Sequence, residues 1–352
     1  MSDQALDWMV GTLQIAIAEG KFYVWCTDEN ALNGLPQLSP SNLQLITNRW
    51  DIAEQAKARN LQTQFSDFDF SQHDDCSLDG FFYRISKEKP LVHHLLNNAW
   101  RCLKPGGELW LSGFKNDGTK TYIEKIAQLL GCEKNIKKNG QVYTARLTKH
   151  SPFNVQLQLD SSDYVNTRPI AADSGLTLVS KPGLFGWNKI DAGSALLIAQ
   201  LEQVLSNQPA PQTAVDLGCG YGYLTVAAQQ IPSAAAKNWL LTDNNAAALQ
   251  IAAANLQLNR ISGQVIGADA GFGLPVKADL LLCNPPFHQG FSVDGDLTDK
   301  FLANASRLLA LGGIALFVVN QFIPLERKAA PLFKHVKTLI DNGSFKVISL
   351  SH

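Results

Sequence analysis

The sequence predicts an α/β protein built from two tandem copies of one domain, each a mostly parallel β-sheet covered by helices. Three observations lead there. Short apolar runs alternate with helical stretches through the C-terminal half. Segments of matching pattern recur about 200 residues apart, the spacing of a duplicated domain rather than of a short repeat. Each half also closes on an Asn-Gly between strand-like runs, which marks a hairpin and therefore a last strand antiparallel to its neighbour.

In the C-terminal copy the strands are "TAVDLGCG" (213–220), "NWLLTD" (238–243), "GQVIGAD" (263–269), "ADLLLCN" (278–284) and "GIALFVVN" (313–320). Each is a short apolar run that stops at turn or polar residues, and stretches such as "AAALQIAAANLQLN" lie between the first three. That alternation is the signature of a parallel sheet with helices on both faces. The chain closes with "VKTLIDNGSFKVISL", in which Asn342-Gly343 sets the terminal hairpin.

The N-terminal copy repeats the plan. "NLQLITNRWDIAEQAKARNL" (42–61) parallels "NWLLTDNNAAALQIAAANL" (238–256). "NNAWRCLKPGGELWLSGF" (97–114) lines up with "ANASRLLALGGIALFVVN" (303–320), each read as a helix, a Gly-Gly turn and a strand. "KKNGQVYTARL" (137–147) matches "IDNGSFKVISL" (340–350). The expected organisation is a first domain over residues 1–150, a linker over 151–177 and a second domain over 178–352.

Composition excludes several classes. The 352 residues are 45% hydrophobic, with 30 basic against 31 acidic side chains. No apolar run reaches the roughly 18 residues of a membrane span, and the N-terminus lacks the basic-then-apolar order of a signal peptide, so a cytoplasmic location is expected; the chain is also expected to be a monomer. Cysteines 26, 76, 102, 132, 219 and 283 show no CxxC pair and no zinc spacing, which leaves buried free thiols and no metal. Neither half is a basic nucleic-acid glove. Between Arg101 and Lys149, however, ten basic residues face four acidic ones. That stretch is read either as a phosphate-facing patch or as an ordinary solvated face.

The copies differ where chemistry would sit. In the second, the first strand runs into "VDLGCGYGY", with Gly218, Gly220 and Gly222 at alternate positions, and Asp243 follows at the end of the next strand. Glycines after a first strand let backbone approach a nucleotide, and an acid about 20 residues on accepts ribose hydroxyls. The spacing is G-x-G-x-G, which argues against the dinucleotide fingerprint. Asp216 precedes the loop and Asp269 ends the third strand. In the first copy "KFYVWCTDENALNG" has no such loop, Asn48 is matched to Asp243, and "YRISKEKP" stands where the second copy has Asn284-Pro285-Pro286-Phe287.

These residues, in this order, resemble the class I S-adenosylmethionine-dependent methyltransferases, with their seven-stranded Rossmann-like sheet. The resemblance implies S-adenosylmethionine bound by Asp216, Gly218, Gly220, Gly222, Asp243, Asn244, Asp269, Ala270 and Asn284, the ribose on Asp243 and the adenine amino group on Asp269. It gives the "NPPF" turn a physical role. A planar amino group is a poor nucleophile because its lone pair is delocalised. An Asn oxygen and a proline carbonyl, both acceptors, grip its two N–H bonds and favour a pyramidal nitrogen aimed at the methyl. Asn284 and Pro285 are assigned to orientation and Phe287 to stacking on a flat base. His288, alone beside the motif, is read as a surface or packing residue before a proton acceptor.

The whole plan, a degenerate first domain, the segment "LVSKPGLFGWNKIDAGSALLIAQL" (178–201) and an intact second domain, resembles the bacterial small-subunit ribosomal RNA guanine-N2 methyltransferase C family. That likeness implies a guanine of 16S rRNA as substrate, flipped from its stack, naked or within a small-subunit particle, with the first domain stabilising the second or helping to bind RNA. Phe185 and Asp191 then either line the pocket, or Gly183 makes a turn and Asp191 caps the following helix. Three rival readings stay open: a guanine of large-subunit rRNA, a protein glutamine, and an RNA-binding assembly factor without catalysis.

Overall fold

In a computed structural model, residues 3–29, 32, 41–170, 175–286, 288–289, 292–293 and 295–352 are described. The chain divides into two compact units, Met1–Asn166 and Thr167–His352.

The first unit opens with α1 (Gln4–Ile17), whose N-terminal amides of Ala5 and Leu6 are capped by Asp3 Oδ1. Then follow β1 (Tyr23–Cys26), β2 (Leu43–Thr47), α2 (Trp50–Ala58), β3 (Gln62–Phe65), β4 (Leu78–Arg84), α3 (Lys89–Cys102), β5 (Leu103–Phe114), α4 (Thr119–Leu130), β6 (Ile136–Asn139), β7 (Val142–Thr148) and α5 (Ser162–Val165). The sheet order is β3-β2-β1-β4-β5-β7-β6, with β7 antiparallel to both neighbours. The unit runs past residue 150, the boundary expected from sequence, because the following segment is fastened to α3. Asn97 exchanges two hydrogen bonds with the backbone of Leu159 at 2.7 and 2.9 Å, and Trp100 Nε1 donates to Ser151 O.

The second unit contains β8 (Arg168–Ile170), β9 (Leu178–Ser180), α6 (Ala192–Leu205), β10 (Thr213–Leu217), α7 (Tyr223–Gln229), β11 (Asn238–Asp243), α8 (Ala246–Leu258), β12 (Gly263–Gly267) and β13 (Ala278–Cys283). It continues with β14 (His288–Gln289), β15 (Ser292–Val293), α9 (Gly295–Leu308), β16 (Leu309–Asn320), α10 (Leu325–Ala329), β17 (His335–Asp341) and β18 (Phe345–Ser351). Its main sheet, β12-β11-β10-β13-β16-β18-β17, has the order of the first unit's. Only β18 runs against the rest, paired antiparallel to β16 and β17 as the Asn-Gly hairpin requires. The expected tandem α/β fold is therefore present in both copies.

Alternation along the strands builds two apolar layers on this sheet. Leu280 and Leu282 face one cluster with Ala214 and α6–α8 residues, while Leu281 and Cys283 face another with Val215, Leu217 and α9 residues. One expectation fails in detail. The Gly-Gly pairs do not separate helix from strand: Gly106-Gly107 and Gly312-Gly313 lie inside the continuous strands β5 and β16, at register shifts. At this irregularity β16 advances five residues, Leu309 to Ile314, against two on β13; Gly312 takes φ +82°, and a Cβ on Gly313 would lie 2.6 Å from Ala278 O. The thiols also divide: Cys26, Cys102, Cys219 and Cys283 are buried, but Cys132 is half-buried and Cys76 exposed. Among the described residues no helix is long and apolar enough to cross a membrane.

Register identifies what each copy carries at equivalent places. Cys26 pairs with Ile46 as Leu217 pairs with Thr242, and the next amide, of Thr27 or Gly218, donates to the carbonyl of Ile46 or Thr242. Thr47, not Asn48, is therefore the counterpart of Asp243. The same register sets Trp25 against Asp216, Thr27 against Gly218 and Arg84 against Asn284. The expected match to Asn48 was one residue out of phase.

Candidate active site

A cavity of about 650 Å³ opens at the carboxyl edge of the second unit's sheet, where ligands of open α/β sheets bind. Gly218, Gly220, Asp243, Asn244, Asp269, Ala270, Asn284, Pro285 and Pro286 all line it. The structure thus brings together residues that span most of the unit's sequence.

The glycine loop turns on three positive φ angles, +76° at Gly218, +52° at Gly220 and +84° at Gly222. L-residues with side chains avoid this region. A Cβ on Gly220 would meet no protein atom within 4 Å, so the missing side chain leaves room on the cavity side. Gly222 is the N-cap of α7, and a Cβ there would point at Leu241 and Ala252 rather than into open space. The amide of Gly220 donates to Asp243 Oδ2 and that of Asn245 to Asp243 Oδ1, each at 2.9 Å. Two backbone donors hold the carboxylate against the cavity wall.

Asp216 sits elsewhere. It is fully buried behind the loop, and its Oδ2 accepts from Thr225 N at 3.2 Å and Thr225 Oγ1 at 2.7 Å. Its Oδ1 is buried without a partner. Burial pushes its carboxyl up to about 7, against the lowering effect of the Thr225 bonds. Neither Asp216 nor Gly222 is among the cavity-lining residues; both act on the loop from behind. Asp269 is on the wall, ion-paired through Oδ2 with Lys300 of α9. Ala270 follows at φ +50°, and Arg307 clips this turn by donating to Gly271 O and Leu274 O, each at 2.7 Å.

Asn284 follows β13 directly, with its side chain fixed. Its Nδ2 donates to Asp191 Oδ2 at 3.0 Å and to Ser194 Oγ at 2.8 Å. A carboxylate only accepts, so the amide nitrogen must face Asp191 and the amide oxygen is turned away from it. Of the two readings of Asp191, both hold at once: it caps α6 by accepting from Ser194 N at 2.8 Å, and it lines the cavity. Gly183 makes a turn at φ +94° and also lines the cavity, as does Phe185, which is 73% exposed. Phe287, assigned to stacking, lies outside the described residues, as does the side chain of His288.

Other wall residues were not anticipated. Tyr221, Tyr223, Leu297, Phe301, Asn320 and Phe345 join the cavity from the glycine loop, α7, α9 and the ends of β16 and β18. Behind them, buried Asn255 on α8 fastens the glycine loop to β9: its Nδ2 donates to Tyr221 O at 2.7 Å and Val179 O at 2.9 Å, and its Oδ1 accepts from Val179 N at 2.9 Å. An Asn in an otherwise alanine-rich helix was the one sequence signal for it. Among the described residues of the first unit, Arg84 stands in Asn284's place and is ion-paired with Asp3 at 2.9 Å and Asp117 at 3.2 Å.

Residues 175–349 match the methyltransferase small domain family. A ribosomal RNA small subunit methyltransferase C from Yersinia pestis (strain Pestoides F) is 28% identical over 271 residues, covering 76% of this chain and 73% of that protein. Its namesake from Yersinia pseudotuberculosis serotype IB (strain PB1/+) matches with the same identity and coverage. The solved structure of the T. thermophilus 16S rRNA N2 G1207 methyltransferase, RsmC, in complex with AdoMet and guanosine superposes with a TM-score of 0.82 at 22% identity, over 99% of this chain and 92% of that one. That likeness spans both units and establishes the tandem fold.

Proposed function

We infer that this chain, which through residues 175–349 belongs to the methyltransferase small domain family, is an S-adenosylmethionine-dependent methyltransferase acting on the exocyclic N2 amino group of a guanine in 16S rRNA. The observation that carries the reading is Asn284, held by Asp191 and Ser194 with its amide oxygen left to accept, beside a glycine loop tied to Asp243. The likeness to the ribosomal RNA small subunit methyltransferase C enzymes supports the choice of substrate.

The residues present fit the cofactor. The open space at Gly220 admits a ligand backbone-close, Asp243 offers a fixed carboxylate to ribose hydroxyls, and Asp269 and Ala270 form the wall for a base. When bound, S-adenosylmethionine supplies a sulfonium methyl, open to in-line attack. The chain's own contribution is orientation. Asn284 Oδ1 and Pro285 O accept the two N–H bonds of the amino group, which directs the nitrogen lone pair away from the ring. Proline offers no amide hydrogen there to compete. Phe287 is assigned to stacking on the base, which offsets the loss of its place in the RNA stack.

The near-neutral charge of the chain favours a folded ribosomal particle over naked RNA as substrate, since a binder of bare backbone relies on many phosphate contacts. On this reading the protein works as a monomer in the cytoplasm, and the first unit, without loop or "NPPF", contributes stability or RNA contacts rather than chemistry. The test is mass mapping of nucleosides from rRNA and small-subunit particles incubated with cofactor and wild-type or Asn284→Ala protein. One N2-methylguanosine in 16S rRNA, reduced about 100-fold or more by the substitution, is expected. Methyl found only in large-subunit RNA or in protein would overturn the substrate, and none anywhere would overturn the activity.

A further inference from the structure

We propose that the turn Asp191-Ala192-Gly193-Ser194 is a positioning device for methyl transfer, which sets the face of the Asn284 amide; this rests on the function proposed above. A helix cap alone needs one bond, from Ser194 N to Asp191 Oδ2, and the structure has it at 2.8 Å. Two further bonds have no use in capping, and a glycine keeps the carboxylate in place for them as well as for the cap. The same Oδ2 also accepts from Asn284 Nδ2 at 3.0 Å, across 93 residues of sequence. The Ser194 hydroxyl, on a residue 7% exposed, takes a second bond from that nitrogen at 2.8 Å. Gly193 supplies clearance: a Cβ there would lie 3.0 Å from the Phe345 ring and 3.1 Å from Asp191 Oδ2, displacing the carboxylate that Asn284 needs.

The consequence is chemical. An amide side chain is nearly symmetric in shape, so packing alone does not choose which end faces the cavity. Turned over, Asn284 would present its oxygen to a carboxylate and its NH₂ to the substrate amino group, donor against donor. Asp191 is an obligate acceptor and rules that state out. Asp191 and Ser194 thus act through Asn284 and are positioning residues, with no contact to the reacting atoms required.

The experiment uses the full chain with rRNA or small-subunit particles as substrate and compares Asp191→Ser, Asp191→Asn and Ser194→Ala with wild type. Serine at 191 keeps a good N-cap but is too short to reach Asn284. Asparagine keeps both the cap and an acceptor oxygen. The expected result is a fall in kcat of roughly 10- to 100-fold for Asp191→Ser, a smaller fall for Ser194→Ala, and near wild-type kcat for Asp191→Asn. Cofactor Kd by calorimetry and KM for RNA stay within about twofold in all three, since uniform binding is untouched. The proposal is overturned if Asp191→Ser keeps wild-type kcat, if serine and asparagine at 191 fall equally, or if the loss lies in KM or cofactor Kd. Should Asp191→Ser fail to fold, Ser194→Ala, which leaves the cap intact, decides by the same kcat reading. Wild-type protein that methylates nothing would instead overturn the function itself.

Discussion

The amide of Gly220 donates to Asp243 Oδ2 at 2.9 Å, so the glycine loop and the end of β11 are tied into one surface. Asn245 N holds the other carboxylate oxygen, and Asp243 lines the cavity. On the proposed function Asp243 takes the cofactor's ribose hydroxyls, so replacing it by Ala removes charge-assisted acceptors for them and frees the loop. Bonds to a charged group contribute about 1.5–3 kcal/mol each, so cofactor affinity measured by calorimetry should fall roughly 100-fold or more. Unchanged affinity would mean that the ribose lies elsewhere.

The first unit should bind no cofactor. Trp25, Thr27, Thr47 and Arg84 occupy the places of Asp216, Gly218, Asp243 and Asn284, so calorimetry on the full chain should give one S-adenosylmethionine per chain. A stoichiometry of two would contradict this register.

Arg84 has become structural instead. Its partner Asp117 has a side chain only 2% exposed, and its guanidinium also lies over the Phe114 ring at 5.3 Å. Arg84→Ala strands a buried carboxylate, a change that costs about 3 kcal/mol or more. A lowered unfolding midpoint with unchanged cofactor Kd is the expected pair of results; the reverse pattern would give Arg84 a part in the active site.

How much of this was legible in the sequence follows from the range of each interaction. Strands, their order of appearance and the terminal hairpins are written in local periodicity and in Asn-Gly, so the tandem fold could be read directly. The loop, Asp243 at the end of β11 and Asp269 just after β12 are local motifs too. The cradle around Asn284 was not legible, because Asp191 and Ser194 reach it only after the chain has folded β10 to β13 between them. Phe345 enters the cavity for the same reason, through the antiparallel insertion of β18 beside β16. Asp216 shows the opposite limit: its place in the motif was clear, but only burial against Thr225 reveals that it supports the loop rather than lining the site. Thr47, unlike Asn48, shares no residue chemistry with Asp243, so only the strand register identifies it as the counterpart.

Asn255 joins α8, β9 and the glycine loop through three hydrogen bonds and is fully buried. Asn255→Ala leaves Val179 N and O and Tyr221 O without partners, and each stranded buried group costs roughly 1–3 kcal/mol. The unfolding midpoint should drop by several degrees, and cofactor affinity should fall with it because Tyr221 belongs to the loop. Asn255→Asp keeps the acceptor for Val179 N but loses both donors, so it should be no better than Ala. If Asn255→Asp is as stable as wild type, the two Nδ2 bonds do not fasten the loop.

Asp216 should make stability depend on pH in an unusual direction. Its folded-state carboxyl titrates at about 7, while an unfolded aspartate titrates near 3.9. Between those values the folded chain holds a proton that the unfolded chain has released. The unfolded state then binds fewer protons, and stability falls as pH rises. The full contribution is present below about pH 4, is lost progressively up to about pH 7, and stays lost above it. Asp216→Asn cannot ionise and keeps an oxygen for Thr225 N and Oγ1, so it lacks this slope, though its NH₂ would stand where the unpartnered Oδ1 is buried. The midpoint difference between Asp216→Asn and wild type should therefore shift in favour of the variant by several degrees between about pH 5 and about pH 8, whatever its value at pH 5. A difference that is flat with pH would show that Asp216 is ionised throughout, with Oδ1 stabilised by a group that offsets its burial.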